Sequence, residues 1–159
     1  GAVGDIAFVL ERAGIDDDLF VAASDNLFTF PLSDFAADFR RHGRDLLLGT
    51  RIDDVDTLRR YAVAALDGEN RVLSLVEKPQ EPQSHIGICA IYLYRRDTAP
   101  LFSAMIAEYR AAGKRPDAPG YFAEWLCKRK EVRVYLASGE CVDIGTVESY
   151  REVCTRWTN

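Results

Sequence analysis

Val72-Leu73-Ser74-Leu75-Val76-Glu77-Lys78-Pro79 is followed, after a short polar stretch, by Ile88-Cys89-Ala90-Ile91-Tyr92-Leu93-Tyr94. Both apolar runs are strand-length and rich in residues that favour strands. Asp67-Gly68 and then Glu69-Asn70 precede the first run and read as a hairpin turn into it. Upstream of that turn, residues 61–66 read as extended, residues 54–60 as helical and Leu46-Leu47-Leu48 as a buried strand. Residues 31–42 place Leu32, Phe35, Ala36 and Phe39 on one helical face. Residues 19–23 form a continuous apolar run that suits a buried strand. Before it, Asp5 is expected to cap a helix that ends at Gly14.

Downstream, Leu101, Phe102, Met105, Ile106 and Tyr109 mark a helix ended by Gly113, and Phe122, Trp125 and Leu126 mark another. Residues 132–136 and 141–144 read as the last two strands, with Thr146 capping a closing helix. Strands alternating with helices, with a hairpin among them, indicate an α/β fold with a mixed sheet. Residues 1–159 carry no repeat, low-complexity tract or linker and read as one domain.

The formal net charge of −5 argues against nonspecific attraction to nucleic acid or to an acidic membrane. No apolar run approaches the ~20 residues of a membrane span. Cys89, Cys127, Cys141 and Cys154 lack the spacing of a zinc site, and Cys89 and Cys127 read as small core residues. A reducing cytoplasm is the simplest compartment for them. Arg40-Arg41-His42-Gly43-Arg44 and Lys128-Arg129-Lys130 fall at helix ends, so they fit either solvated cations complementing the helix dipole or a phosphate contact.

Three positions could carry chemistry. Asp25, in Ser24-Asp25-Asn26, follows an apolar strand. It fits an Asx turn or a ligand for Mg²⁺, a hard cation that prefers carboxylate oxygens. Asp143, in Asp143-Ile144-Gly145-Thr146, fits the same role, while Thr146 serves as a helix cap. Lys78 at a strand end fits a phosphate contact or a solvated charge. Glu77 beside it points to the other side if the backbone stays extended.

In this order, Ser24-Asp25-Asn26, Glu77-Lys78-Pro79, Asp117-Ala118-Pro119-Gly120-Tyr121-Phe122-Ala123-Glu124-Trp125 and Asp143-Ile144-Gly145-Thr146 resemble the sugar nucleotidyltransferases, the glucose-1-phosphate thymidylyltransferase type in particular. The resemblance implies a three-layer α/β/α Rossmann-like fold lacking its amino-terminal part, where that family keeps a Gly-rich, Arg- and Lys-bearing phosphate loop. It implies that a nucleoside triphosphate and a sugar 1-phosphate are joined to give a nucleotide-sugar and pyrophosphate. Asp25 and Asp143 would hold Mg²⁺, and Lys78 would bind the sugar phosphate. Gly1, Gly4, Asn26, Tyr61, Glu77 and Gly145 would contact substrate, with Gly1 and Gly4 in a loop close to the nucleotide.

Departures accompany the resemblance. Ser24, Ala62 and Ala90 stand where that family typically has glycine, which would narrow the sugar pocket. Two alternatives therefore stand beside the enzyme: a non-catalytic regulatory or assembly module, or a transferase for a non-sugar phosphate. A start at Gly rather than Met reads as a chain cut from a larger protein or carrying a tag remnant. Such a chain is expected to be inactive alone and to self-associate through an exposed sheet edge.

Overall fold

In a computed structural model of the chain, residues 1–115 and 117–156 are described. The central sheet is mixed and is organised around one long strand, β6 (Ile86–Tyr94). On one side β6 pairs antiparallel with β3 (Asp45–Arg51), which pairs parallel with β7 (Val132–Leu136). On its other side β6 is shared by two strands placed end to end. β1 (Leu19–Ala22) lies antiparallel to residues 91–94, and β4 (Ala62–Leu66) lies antiparallel to Gly87 and Ile88. β5 (Val72–Glu77) closes the sheet as the hairpin partner of β4. A separate ribbon pairs β2 (Asn26–Phe28) with β8 (Cys141–Asp143).

Two apolar cores follow from the period of two along β6. Ile88, Tyr92 and Tyr94 face α1 (Ala2–Ala13), α4 (Leu101–Ala111) and α5 (Pro119–Cys127) through Val3, Phe102, Met105, Phe122 and Trp125. Cys89, Ile91 and Leu93 face the opposite layer, where α2 (Leu32–His42) inserts Phe35 and Phe39. The expected three layers are thus in place. The remaining helices, α3 (Val55–Leu58) and α6 (Val147–Arg156), are peripheral.

Four expectations need correction. The first helix begins at Ala2, with Gly1 at its cap position and Asp5 already inside it. Gly4 is therefore helical and has open space around it, so it is not part of a loop. β1 is not buried throughout: Leu19 is, but Phe20 is 53% exposed, and among the described residues β1 pairs only with β6, which leaves its outer edge open. In the Lys128-Arg129-Lys130 run Lys128 is solvated as expected, but each cation is taken by a carboxylate and Lys130 is drawn inward. Lys128 pairs with Glu124 at 2.8 Å, Arg129 pairs with Glu108 and lies over the Trp125 ring, and Lys130 meets the fully buried Asp45 at 3.0 Å. Asp45 also accepts from Arg95 N and Thr98 Oγ1, so this buried ion pair is hydrogen-bonded as such pairs must be.

Candidate active site

β1 stops and β4 starts along the same edge of β6, and a cleft of about 350 Å³ lies over the gap between them. Ala23 N still donates to Ala90 O at 2.9 Å before the chain turns away. The cleft floor is the even-numbered face of β6, with Ile88, Ala90 and Tyr92. Its walls carry Asp25 and Asn26 after β1, Tyr61 and Ala62 at the start of β4, and Glu77 and Lys78 at the end of β5. Asp143 of β8 and the first turn of α5 complete them.

Asp25 and Asp143 come together because Ile144 N donates to Asp25 O at 2.8 Å, while Asn26 is the register partner of Asp143. A side-chain carbon built on Gly145 would stand 2.9 Å from Asp143 Oδ1 and 3.0 Å from Asp25 Oδ2. Both oxygens therefore point toward one small space that only glycine leaves open. Asn26 Nδ2 donates to Asp25 Oδ1 at 3.1 Å, and Gly145 N donates to Asp143 Oδ1 at 2.6 Å. Among the described residues no set of three or more His, Cys, Asp or Glu gathers as a metal site. Two carboxylates still suit Mg²⁺, which is commonly held by one or two of them and completed by water and substrate phosphate.

Lys78 corrects the expectation that it and Glu77 face apart. Its φ of 48° turns the backbone out of the extended region, so both side chains line the same cleft. Lys78 N is anchored to Tyr61 O at 3.1 Å. The Glu77 carboxylate rests on the first turn of α5, where a side-chain carbon on Gly120 would strike its Oε2 at 1.8 Å. Burial pushes Glu77 above the usual carboxylate range, with Lys78 pulling it back and Glu124 adding to the rise. Glu77 N donates to Glu124 Oε2 at 3.2 Å. Burial also pushes the Tyr61 hydroxyl up to about 12, so it remains a neutral donor at ordinary pH.

Of the other expected residues, Gly1 is the cap of α1, whose Ala2 reaches the cleft, and Gly4 does not line it. Gly145 lies beside the carboxylates rather than among the lining residues. Ala62 and Ala90 do line the cleft, whereas Ser24 does not and Ala23 takes that place. Around α5 the cleft takes Ala118, Pro119 and Gly120. Sequence reasoning passed over Arg60 and Tyr92. The period of two along β6 assigns Tyr92 to the face of Ile88 and Ala90 and could have found it. Arg60 lies two residues before the start of β4, and among the described residues its guanidinium donates to Thr57 Oγ1 at 3.4 Å.

Residues 1–159 match the protein family described as Nucleotidyl transferase. The chain belongs to that family. A glucose-1-phosphate thymidylyltransferase of Streptomyces griseus is 29% identical over 87% of the chain and 38% of its own length. A glucose-1-phosphate adenylyltransferase of Thermomicrobium roseum is 26% identical over 85% of the chain and 31% of its own length. The chain thus spans about a third of the length of the curated relatives it matches. A solved Bacillus anthracis structure, assigned as a glucose-1-phosphate thymidylyltransferase and holding sucrose, aligns with a TM-score of 0.79. It shares 23% identity and covers 100% of this chain and 62% of that one. A UDP-glucose pyrophosphorylase complexed with UDP-glucose aligns at 0.78 with 17% identity over 99% of this chain and 61% of that one. These structural likenesses establish the Rossmann-like nucleotidyltransferase fold with its mixed sheet.

Proposed function

We propose that the cleft binds a sugar 1-phosphate and serves nucleotidyl transfer to it from a nucleoside triphosphate, yielding a nucleotide-sugar and pyrophosphate. The observation that carries this reading is the convergence of Asp25, Asp143, Tyr61, Glu77 and Lys78 on one cleft at the β1–β4 gap. Family membership and the names of the curated relatives support it.

Each residue has a role suited to its chemistry. Glu77, partnered by no hydrogen bond through its carboxylate among the described residues, accepts from sugar hydroxyls. The Lys78 ammonium holds the sugar phosphate as a point charge and aims its oxygen at the nucleotide's α-phosphate. That oxygen is already ionised, so the step requires no general base. Asp25 and Asp143 would hold Mg²⁺, which when bound supplies neutralisation of phosphate charge. Asn26 and the Gly145 amide keep the two carboxylates oriented through their hydrogen bonds. Tyr61 forms a wall, and its neutral hydroxyl stays close to Asp143.

A second reading rests on the methyl groups of Ala62 and Ala90, which occupy the cleft floor and its edge. They favour a smaller, non-sugar phosphate. Titration calorimetry with glucose 1-phosphate, other sugar 1-phosphates and phosphocholine, each with Mg²⁺, separates the two. Saturable binding of a sugar 1-phosphate supports the first reading, and binding of phosphocholine alone replaces it.

The cytoplasm and self-association belong to this same proposal. Among the described residues no helix is long and apolar enough to cross a membrane, and the four cysteines form no disulfide. The outer edge of β1, with Phe20 beside Val9 and Ile15, is the surface through which copies would associate.

A further inference from the structure

Two cations line the cleft among the described residues, Arg60 and Lys78, and they sit on neighbouring stretches of backbone. Lys78 N donates to Tyr61 O at 3.1 Å, and Ala62 is the register partner of Glu77, so the chain at Arg60-Tyr61 runs beside the chain at Lys78. The turn that carries Arg60 is fixed as α3 gives way to β4. Arg60 N donates to Thr57 O and Tyr61 N to Leu58 O, each at 3.0 Å. The adjacent arginines then part company. Arg59 is held to the surface, donating to Asp56 Oδ1 at 2.7 Å and to Gln80 O at 2.9 Å. Arg60 is exposed and forms no ion pair among the described residues; there its guanidinium donates to Thr57 Oγ1 alone, at 3.4 Å. That hydroxyl in turn donates to Asp54, the cap of α3. Most of the Arg60 donors are therefore open to a ligand. Lys78 likewise forms no ion pair among the described residues.

Charge and shape both point to a phosphomonoester. Such a group carries about two negative charges at neutral pH, more than one lysine offsets. The cleft also holds Asp25, Glu77 and Asp143, whose carboxylates repel it. A second cation beside Lys78 is thus needed on the phosphate side. The two cations also differ in form: an ammonium is a compact point charge, whereas a guanidinium is a planar fork that matches two phosphate oxygens at once. We propose that Arg60 and Lys78 form a two-cation clamp for the phosphomonoester of the sugar 1-phosphate, with the Arg60 fork taking two phosphate oxygens and the Lys78 ammonium completing the grip.

This inference rests on the reading of the cleft as a sugar 1-phosphate site and adds to it a residue that sets specificity. In the nucleotide-sugar the same phosphorus is bridged on both sides and keeps a single negative charge. The clamp therefore holds the substrate more tightly than the product and favours product release. It also discriminates a phosphomonoester from a phosphodiester of the same sugar.

Calorimetry in Mg²⁺ tests it with three probes: glucose 1-phosphate, its methyl ester, whose phosphate keeps a single charge, and methyl phosphate, which has no sugar. The parent chain is compared with Arg60→Gln, Arg60→Lys, Lys78→Ala and the double variant Arg60→Gln/Lys78→Ala. Arg60→Gln should weaken glucose 1-phosphate at least about tenfold and reduce its preference over the methyl ester by a similar factor. Its melting temperature should stay at the parent value, because Arg60 is exposed. Arg60→Lys should recover only part of the loss, since it restores the charge without the fork. The loss in the double variant should differ from the product of the two single losses, as for two groups on one phosphate. Unchanged glucose 1-phosphate affinity in folded Arg60→Gln overturns the clamp and leaves the sugar 1-phosphate site standing. Full recovery in Arg60→Lys overturns the fork. If methyl phosphate binds in an Arg60-dependent way and glucose 1-phosphate binds no better, the sugar reading fails and the clamp stands. A parent chain that binds no phosphomonoester overturns both.

Discussion

Gly145→Ala is the sharpest perturbation of the carboxylate pair. The Gly145 backbone lies outside the left-handed region, so alanine fits it without backbone strain. The added methyl would stand 2.9 Å from Asp143 Oδ1 and 3.0 Å from Asp25 Oδ2, each tighter than ordinary contact by several tenths of an ångström. Both oxygens end exposed side chains and can swing away, so the cost to folding is small, within the roughly 0.5 kcal/mol of a surface change. The cost to a bound ion is larger. Mg²⁺ tolerates little departure from octahedral contacts of about 2.0–2.1 Å, and the methyl fills the space between its two protein ligands. The expected outcome is at least a roughly tenfold loss of cation affinity, about 1.4 kcal/mol, with a melting temperature close to that of the parent. Mn²⁺ as a paramagnetic probe, followed by water-proton relaxation, measures the first, and thermal melting measures the second. Unchanged Mn²⁺ affinity in a folded Gly145→Ala protein would refute the shared site.

Lys78→Ala should weaken sugar 1-phosphate binding roughly ten- to a hundredfold, the worth of a charge-assisted bond of about 1.5–3 kcal/mol, and calorimetry giving an unchanged affinity would make Lys78 a solvated charge. Glu77→Gln tests the buried carboxylate by pH. Glu77 is raised in the fold, so its contribution to stability is present below the unfolded carboxylate range and is lost as pH rises through its folded value. Melting curves should show the glutamine variant more stable than the parent at neutral pH, no advantage at acid pH, and weaker sugar binding throughout. Phe20→Lys places a charge on the open edge of β1 and should reduce self-association seen by light scattering without lowering the melting temperature. The 159-residue chain alone should bind sugar 1-phosphate yet release no pyrophosphate. The described residues offer no Gly-rich loop for the leaving group, and loss of even one such donor costs roughly 10²–10³ in rate.

The sheet was legible because its strands carry strong local signals. The Asp67-Gly68 turn, the apolar run of β6 and the Phe35/Phe39 stripe of α2 each state their structure within a few residues. What sequence could not give is the end-to-end sharing of β6 by β1 and β4. That arrangement depends on register between distant segments, and it creates the cleft. Asp25 and Asp143 could be singled out as strand-end carboxylates, but their convergence depends on the β2–β8 ribbon. The Lys78 side chain was misplaced because a positive φ at a lysine leaves no trace in residue type. Lys130 was misread for a similar reason: its partner, Asp45, opens a strand far away in the chain.

The roles proposed for Asp25, Glu77, Lys78 and Asp143 all depend on the β1–β4 gap being a sugar 1-phosphate site. A titration of the ¹⁵N-labelled chain with glucose 1-phosphate in Mg²⁺, followed by amide chemical shifts, tests it most directly. Saturable shifts are expected, concentrated at Ala62, Lys78, Ala90, Gly120 and Gly145, and they should be lost in Lys78→Ala. No saturable shift, or shifts gathered around Arg44 and Lys130 at the far end of the sheet, would contradict it.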